Sequence, residues 1–258
     1  MKKIIRMIKE QSFLFSELVK RDFKKKYKRT YLGMLWSLLS PLLTLLVMTL
    51  VFKQFFGSKT EHYTIYLFCG NIVFSFFSDS TNGGMSSLLN NADIFAKVNV
   101  PKYLFLFSRN VSSLINFGLT LVIFFVFCII DGITFSFGFF LLLYPIFCLV
   151  IFNLGVGLIL SALYVFFRDL QYLWTVGLQL LMYMSAIFYT VDTFPEDIQK
   201  LFLLNPVYVY IKYFRLIVID NSIPSIQFSL LALGYALFAF VIGGLIYKTK
   251  NHKFLYYV

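Results

Sequence analysis

Residues Arg21–Leu43 read RDFKKKYKRTYLGMLWSLLSPLL. Six cations crowd into Arg21–Arg29, and from Gly33 onward charge disappears. Basic clusters of this kind suit either nucleic acid or an anionic membrane surface. The run that follows decides between them. Gly33–Phe52 is uncharged throughout and, as a helix, is long enough to cross the ~30 Å hydrocarbon core of a bilayer. The cations then mark the membrane face on which the chain starts, and no nucleic-acid partner is needed to explain them.

Composition agrees. The 258 residues are 59% hydrophobic, 20% aromatic and 14% charged, whereas soluble domains carry about 25% charged residues. That much apolar surface cannot be hidden in a water-soluble core, so lipid is the solvent for most of the chain. Spans are expected near 33–53, 63–82, 108–130, 138–165, 171–191 and 226–247, after a basic amphipathic segment over 1–32 and within a transmembrane domain over 33–258. The uncharged run Gly132–Phe167 is too long for one helix. It reads either as two spans or as one span with an apolar lead-in, bent at Gly132, Gly138 and Pro145. Loop charge favours one span. Six spans with the N-terminus inside place 18 Lys and Arg on the cytoplasmic side and five outside, whereas a seventh would move Lys248, Lys250 and Lys253 outside. The expected fold is therefore an all-α polytopic membrane protein with both termini cytoplasmic. The first apolar run starts too late and is too long for a signal peptide.

Several segments carry finer expectations. Phe15, Leu18, Val19, Phe23 and Tyr27 follow a helical stripe, with Arg21, Lys24, Lys25 and Lys28 on other faces. Such a helix lies in the headgroup layer against membrane lipids. Gly33 frees the turn into span one, and Pro41 bends that span near Trp36. Leu201–Ile211 is too short to span and too apolar for a plain loop. Asn205-Pro206 splits it into two short helices, forming a re-entrant element or a collapsed outer loop. Span two is polar in its second half, and its Asp79 either serves transport or makes a helix contact near the inner interface. Trp36, Tyr183 and Tyr189 either anchor helix ends or line a path where rings stack on sugars. Cys69, Cys128 and Cys148 sit in apolar runs without CxxC spacing and read as buried small hydrophobes, not metal ligands. The sequence contains no P-loop, HExxH or GxSxG pattern, so neither ATP binding nor catalytic residues are expected of it.

Four segments in order complete the reading: LVKRDFKKKYKRTYLGMLWSLLSPLLTLLVMTLVF (18–52), LLNNADIFAKVNVPKYLFLFSR (88–109), FFRDLQYLW (166–174) and FPEDIQKLFLLNPVYVYIKYFR (194–215). Together they resemble ABC-2 type permeases of the bacterial O-antigen and teichoic-acid exporter family. The family pattern is closer to NANLIKKVYFPR where this chain has NNADIFAKVNVPK, so Lys102 replaces an arginine and Asp93 adds an acid. The resemblance implies a half-transporter in the bacterial cytoplasmic membrane: a homodimer of permease subunits with two copies of a separate ABC ATPase, which binds the ATP. The implied cargo is a lipid-linked glycopolymer of O-antigen, teichoic-acid or capsule type. It further implies ATPase coupling through Asn91, Asp93, Ile94 and Lys97, with Pro101 ending the coupling helix, and through Arg168 and Asp169. It places an outer gate at Pro195, Asn205, Pro206 and Arg215. The rival readings are an ABC-2 exporter of drugs or small lipids, a membrane-embedded transferase and a passive channel.

Overall fold

The structure is a computed structural model describing residues 2–27, 30–57, 61–97, 100–251 and 253–257. The described residues are helical and include no strand. In chain order the helices are α1 (Lys2–Tyr27), α2 (Trp36–Phe56), α3 (Tyr63–Ser86), α4 (Ala92–Lys97), α5 (Tyr103–Ile130) and α6 (Leu143–Phe166). They continue as α7 (Leu170–Met184), α8 (Glu196–Phe202), α9 (Pro206–Val218), α10 (Ile226–Lys250) and α11 (Phe254–Tyr257).

Four segments are long and apolar enough to cross a membrane: Gly33–Phe56, Tyr103–Ile130, Phe137–Phe166 and Ile226–Lys250. The long uncharged run thus resolves as a 3-10 lead-in over Phe137–Leu142 followed by the single helix α6. Helices α8 and α9 form a pair bent by 106°. The break falls at Asn205-Pro206, where Asn205 Oδ1 accepts from Val207 N at 3.0 Å and Pro206 opens α9. Gly33 has φ +52°, the left-handed turn that lets the chain enter α2.

Two expected spans differ from the sequence pattern. Helix α3 has the length, but Ser78, Asp79, Ser80, Thr81 and Asn82 lower its hydropathy. It can carry them because it is the central helix, packed against α2, α5, α6 and α9, with most of its side chains buried. Phe76 stacks on Phe117 at 4.7 Å and Phe77 on Phe152 at 5.7 Å. Helix α7 ends at Met184, seven residues before the expected 191, because residues 185–189 fold back into the protein.

Helix α1 packs against α5 rather than standing apart. Leu18 is buried, as is Asp22, which accepts from Ser108 of α5 at 3.2 Å and from Arg21 at 2.7 Å. Arg21 is therefore turned partly inward, while Lys24 and Lys25 are exposed. Lys28 lies outside the described residues. The three cysteines are free and buried, as their apolar surroundings predict.

The most extensive helix contact joins α6 to α10. Ala232, Ala236 and Gly243 are buried on α10, and small residues let two backbones approach closely. A Cβ on Gly155 would collide with the Ala239–Phe240 peptide. Gly155→Leu should therefore destabilise the protein by roughly 1–3 kcal/mol, read as a lowered thermal midpoint in detergent. Gly118→Leu, at an open position, is the matched control and should be neutral. Equal midpoints for the two variants would refute this packing.

Candidate functional site: a polar groove with a tied turn

On α3 the positions that are not buried beyond its first turn are Ser75, Ser78, Asp79, Asn82 and Ser86, spaced as one helical face. They open onto two adjoining cavities. The first, of about 490 Å³, lies between α2, α3 and α5 and is lined by Ser37, Ser40 and Thr44, by Asn71, Ser75 and Asp79, and by Ser113 and Thr120. Trp36 and Pro41 border it on α2. The second, of about 560 Å³, shares Thr44, Asn71, Ser75 and Asp79 and continues past Asn82 and Ser86 to Arg109 and Met182. Asp79 joins both. Its Oδ2 accepts from Ser113 Oγ at 3.1 Å, and its Oδ1 lies 4.0 Å from Arg109 Nη2. Asn110 Nδ2 donates to Ser80 Oγ at 2.7 Å, fixing α5 against α3. Asp79 thus makes a helix contact to α5 and also lines the cavity wall.

The three aromatic candidates do not share one site. Trp36 starts α2, about 24 Å along the helix from Phe52. Phe52 stacks on Phe188 at 4.4 Å, which places the 185–189 turn at the far end. Tyr189 is at that end, its ring edge-on to Phe194 and Phe202 and its hydroxyl donating to Tyr183 O at 2.9 Å.

This turn is non-helical backbone among apolar helices, and its carbonyls are met by side chains. Arg215 is buried. Its Nη1 donates to Ala186 O at 2.9 Å, and its Nη2 to Ile187 O and Tyr66 O, both at 3.2 Å. The guanidinium carbon stands 3.4 Å from the centroid of the Tyr66 ring. Tyr63 and Tyr66 donate their hydroxyls to Phe188 O and Tyr189 O, each at 2.7 Å. Asn205 Nδ2 donates to Ser185 Oγ at 3.0 Å and to Met184 O at 3.3 Å. Ala186 has φ +49°, a left-handed conformation costly for alanine and held here by these bonds. Of the expected gate residues, Asn205 and Arg215 bind this turn, Pro206 opens α9 next to Asn205, and Pro195 caps the start of α8. Tyr63 and Tyr66 were not legible as site residues, since tyrosines near a helix end ordinarily serve as interfacial anchors. Beyond the turn, Asp192, Lys212, Arg215 and Asp220 line a cavity of about 700 Å³. Burial raises the Asp220 carboxyl's pKa above its ordinary value, with Asp192 adding to the rise.

At the opposite end, Asp93 and Lys97 are exposed on α4 and Ile94 is half-buried. Asn91 is buried instead, donating to Ser87 O at 2.7 Å, so it shapes the turn into α4. Helix α4 ends at Lys97, and Pro101 stands just ahead of α5, its carbonyl accepting from Leu104 N at 3.1 Å. Pro101 thus opens α5 and does not border α4. Arg168 and Asp169 are exposed in the α6–α7 turn. Burial lowers the Lys102 ammonium's pKa. Among the described residues, no three His, Cys, Asp or Glu side chains converge as a metal set would.

Comparison with known proteins places this geometry. The ABC-2 type transporter family matches residues 14–219. The O-antigen export system permease protein RfbA of Klebsiella pneumoniae is 28% identical over 254 residues, covering 97% of this chain and 98% of that protein. RfbA of Myxococcus xanthus is 26% identical, over 87% of each chain. The capsule polysaccharide export inner-membrane protein CtrC of Neisseria meningitidis is 24% identical, over 84% of this chain and 83% of its own.

Removing the Arg215 guanidinium leaves the carbonyls of Tyr66, Ala186 and Ile187 without their donor. An unmet buried polar group costs about 1–3 kcal/mol. Arg215→Leu should accordingly lower the thermal midpoint and make a cysteine placed at Ile187 reactive to water-soluble reagents. Arg215→Lys should rescue little, because one ammonium cannot reproduce the planar fork. A full rescue by lysine would show that charge alone matters.

Proposed function

Because the chain belongs to the ABC-2 type transporter family, we propose that it is the membrane-spanning permease of an ATP-driven exporter of bacterial polysaccharide. The observation that carries this reading is the end-to-end match to permeases named for O-antigen and capsule polysaccharide export. The groove supports it. A hydrophilic polymer needs polar walls through the lipid, and hydroxyls and amides on α2, α3 and α5 supply sugar-compatible donors and acceptors. An exporter of drugs or small lipids is not favoured by the relatives' names, and the cargo class here is a lipid-linked glycopolymer of O-antigen, teichoic-acid or capsule type.

In this reading α2, α3, α5, α6, α7 and α10 are six spans, with both termini cytoplasmic. Helix α7 is about 22 Å long at 1.5 Å per residue. It falls short of the bilayer, and the turn at 185–189 with α8 and α9 completes the outer half as a re-entrant gate. Helix α1 lies along the cytoplasmic interface, with Lys24 and Lys25 toward lipid headgroups and Leu18 on the protein. Trp36 marks the cytoplasmic mouth of the groove, and Tyr183 and Tyr189 sit at its gated end. Two copies pair so that their grooves face one path.

ATP enters through a partner. The chain has no phosphate-binding loop, so a separate ATPase subunit binds the nucleotide and drives the spans. Asp93, Ile94 and Lys97 of α4 form the first docking surface, with Arg168 and Asp169 beside it. Nucleotide-driven movement of a rigid pair of levers then tilts the helices that border the groove.

Deletion of this permease should leave lipid-linked polymer inside the cell and remove it from the surface. Normal surface polymer in the deletion strain would overturn the assignment. The double variant Asp93→Lys, Lys97→Glu should insert normally yet export at least about fivefold less, the low end of ordinary coupling between sites. Unchanged export would remove α4 from the coupling surface.

A further inference from the structure

The described residues after α10, Asn251 and 253–257, pack onto the end of the bundle that carries α4. Phe254 is fully buried, 0% exposed. Its ring meets Tyr247 edge-on at 5.1 Å and Phe166 at 6.1 Å, and Tyr257 packs on Phe166 at 4.9 Å. Lys102 forms the other side of this contact. Its Nζ donates to Asn251 O at 2.8 Å and lies 5.6 Å from the ring centroids of both Phe254 and Phe95. A cation over two rings, partly shielded from water, is held more firmly than one at an open surface. Phe95 is the buried side chain of α4 and leans on Phe105 at 6.1 Å. On the far side Arg168 Nη2 reaches Tyr257 O at 3.4 Å. One short segment therefore touches both turns read above as ATPase-facing, through Lys102 and Phe95 on one side and Arg168 on the other.

We propose that the C-terminal segment carrying Asn251, Phe254 and Tyr257 is a clasp, pinned by Phe254 and Lys102, that fixes α4 relative to the α6–α7 turn. Lys102 and Phe254 are then positioning residues for energy coupling. The physical need is plain. A six-residue helix is not stable alone, since helix formation has a costly nucleus. Helix α4 keeps its shape through its packing, in which Phe95 is its buried side chain. A force applied at Asp93 or Lys97 reaches the spans only if this mount is stiff, and two separate contact turns move together only if something joins them. The clasp supplies both conditions. This inference rests on the ATPase-facing assignment of the two turns.

The test uses the full-length chain with spin labels on Ala96→Cys and Tyr172→Cys, both exposed positions. In lipid nanodiscs the parent should give one narrow distance distribution. Phe254→Ala and Lys102→Met should broaden it, and in cells carrying the whole transporter should cut export at least about fivefold. Lys102→Arg, which keeps the cation and the donor, should restore both readouts. An unchanged distribution, or a broadened one with full export, overturns the clasp. Should Phe254→Ala fail to insert, Lys102→Met decides, because it keeps every packed ring. Full export by the Asp93→Lys, Lys97→Glu variant, with broadened distances and lost export in Lys102→Met, would sink the docking assignment and leave the clasp standing.

Discussion

Backbone that leaves helical geometry inside a membrane must find partners for its polar groups, because lipid supplies none. That constraint shapes the end of this protein that holds the 185–189 turn. The turn over residues 185–189 ends α7 early and sends its carbonyls into the protein. Arg215 meets two of them directly and a third carbonyl on α3, Tyr63 and Tyr66 meet those of Phe188 and Tyr189, and Asn205 meets that of Met184 at the end of α7. The arrangement joins α3, α9 and the end of α7 into one unit through hydrogen bonds, not only through shape. A charge this deep is costly on its own. Here the guanidinium is spread over three carbonyls and an aromatic face, which offsets the loss of water.

The same unit explains why α3 can be polar. Enclosed by four other helices, it presents to the groove the only face that is not buried. Ser75, Ser78, Asp79, Asn82 and Ser86 would be expensive against lipid but are suited to water and sugar. Fold and function meet in that choice. Of the six helices read as spans, the least apolar is the one placed at the centre.

Much of this was legible in the chain. The basic-to-apolar switch at Arg21–Gly33, the single span from the long run and the Asn205-Pro206 break all follow from charge, length and proline geometry. Their signals are local. The α7 boundary was not legible, since residues 185–189 are as apolar as a span and only the partners waiting on α3 and α9 make a turn affordable there. Arg215 was expected at the gate by resemblance, but its three carbonyl partners are up to 149 residues away in sequence. Asn91 and Pro101 fell in the expected coupling segment yet serve its geometry, the first buried and the second opening α5. The role of Phe254 has no sequence signature at all. It depends on Lys102 reaching across from the start of α5.

The proposed export function requires α3 to line a water-filled path. A scan of single cysteines from Asn71 to Ser86, in a cysteine-free chain in native membranes, reads this most directly. Reactivity toward a membrane-impermeant thiol reagent should peak at Ser75, Ser78, Asp79, Asn82 and Ser86, with Phe77 and Thr81 silent. If those five positions react only with a bilayer-soluble reagent, the stripe faces lipid and the path lies elsewhere.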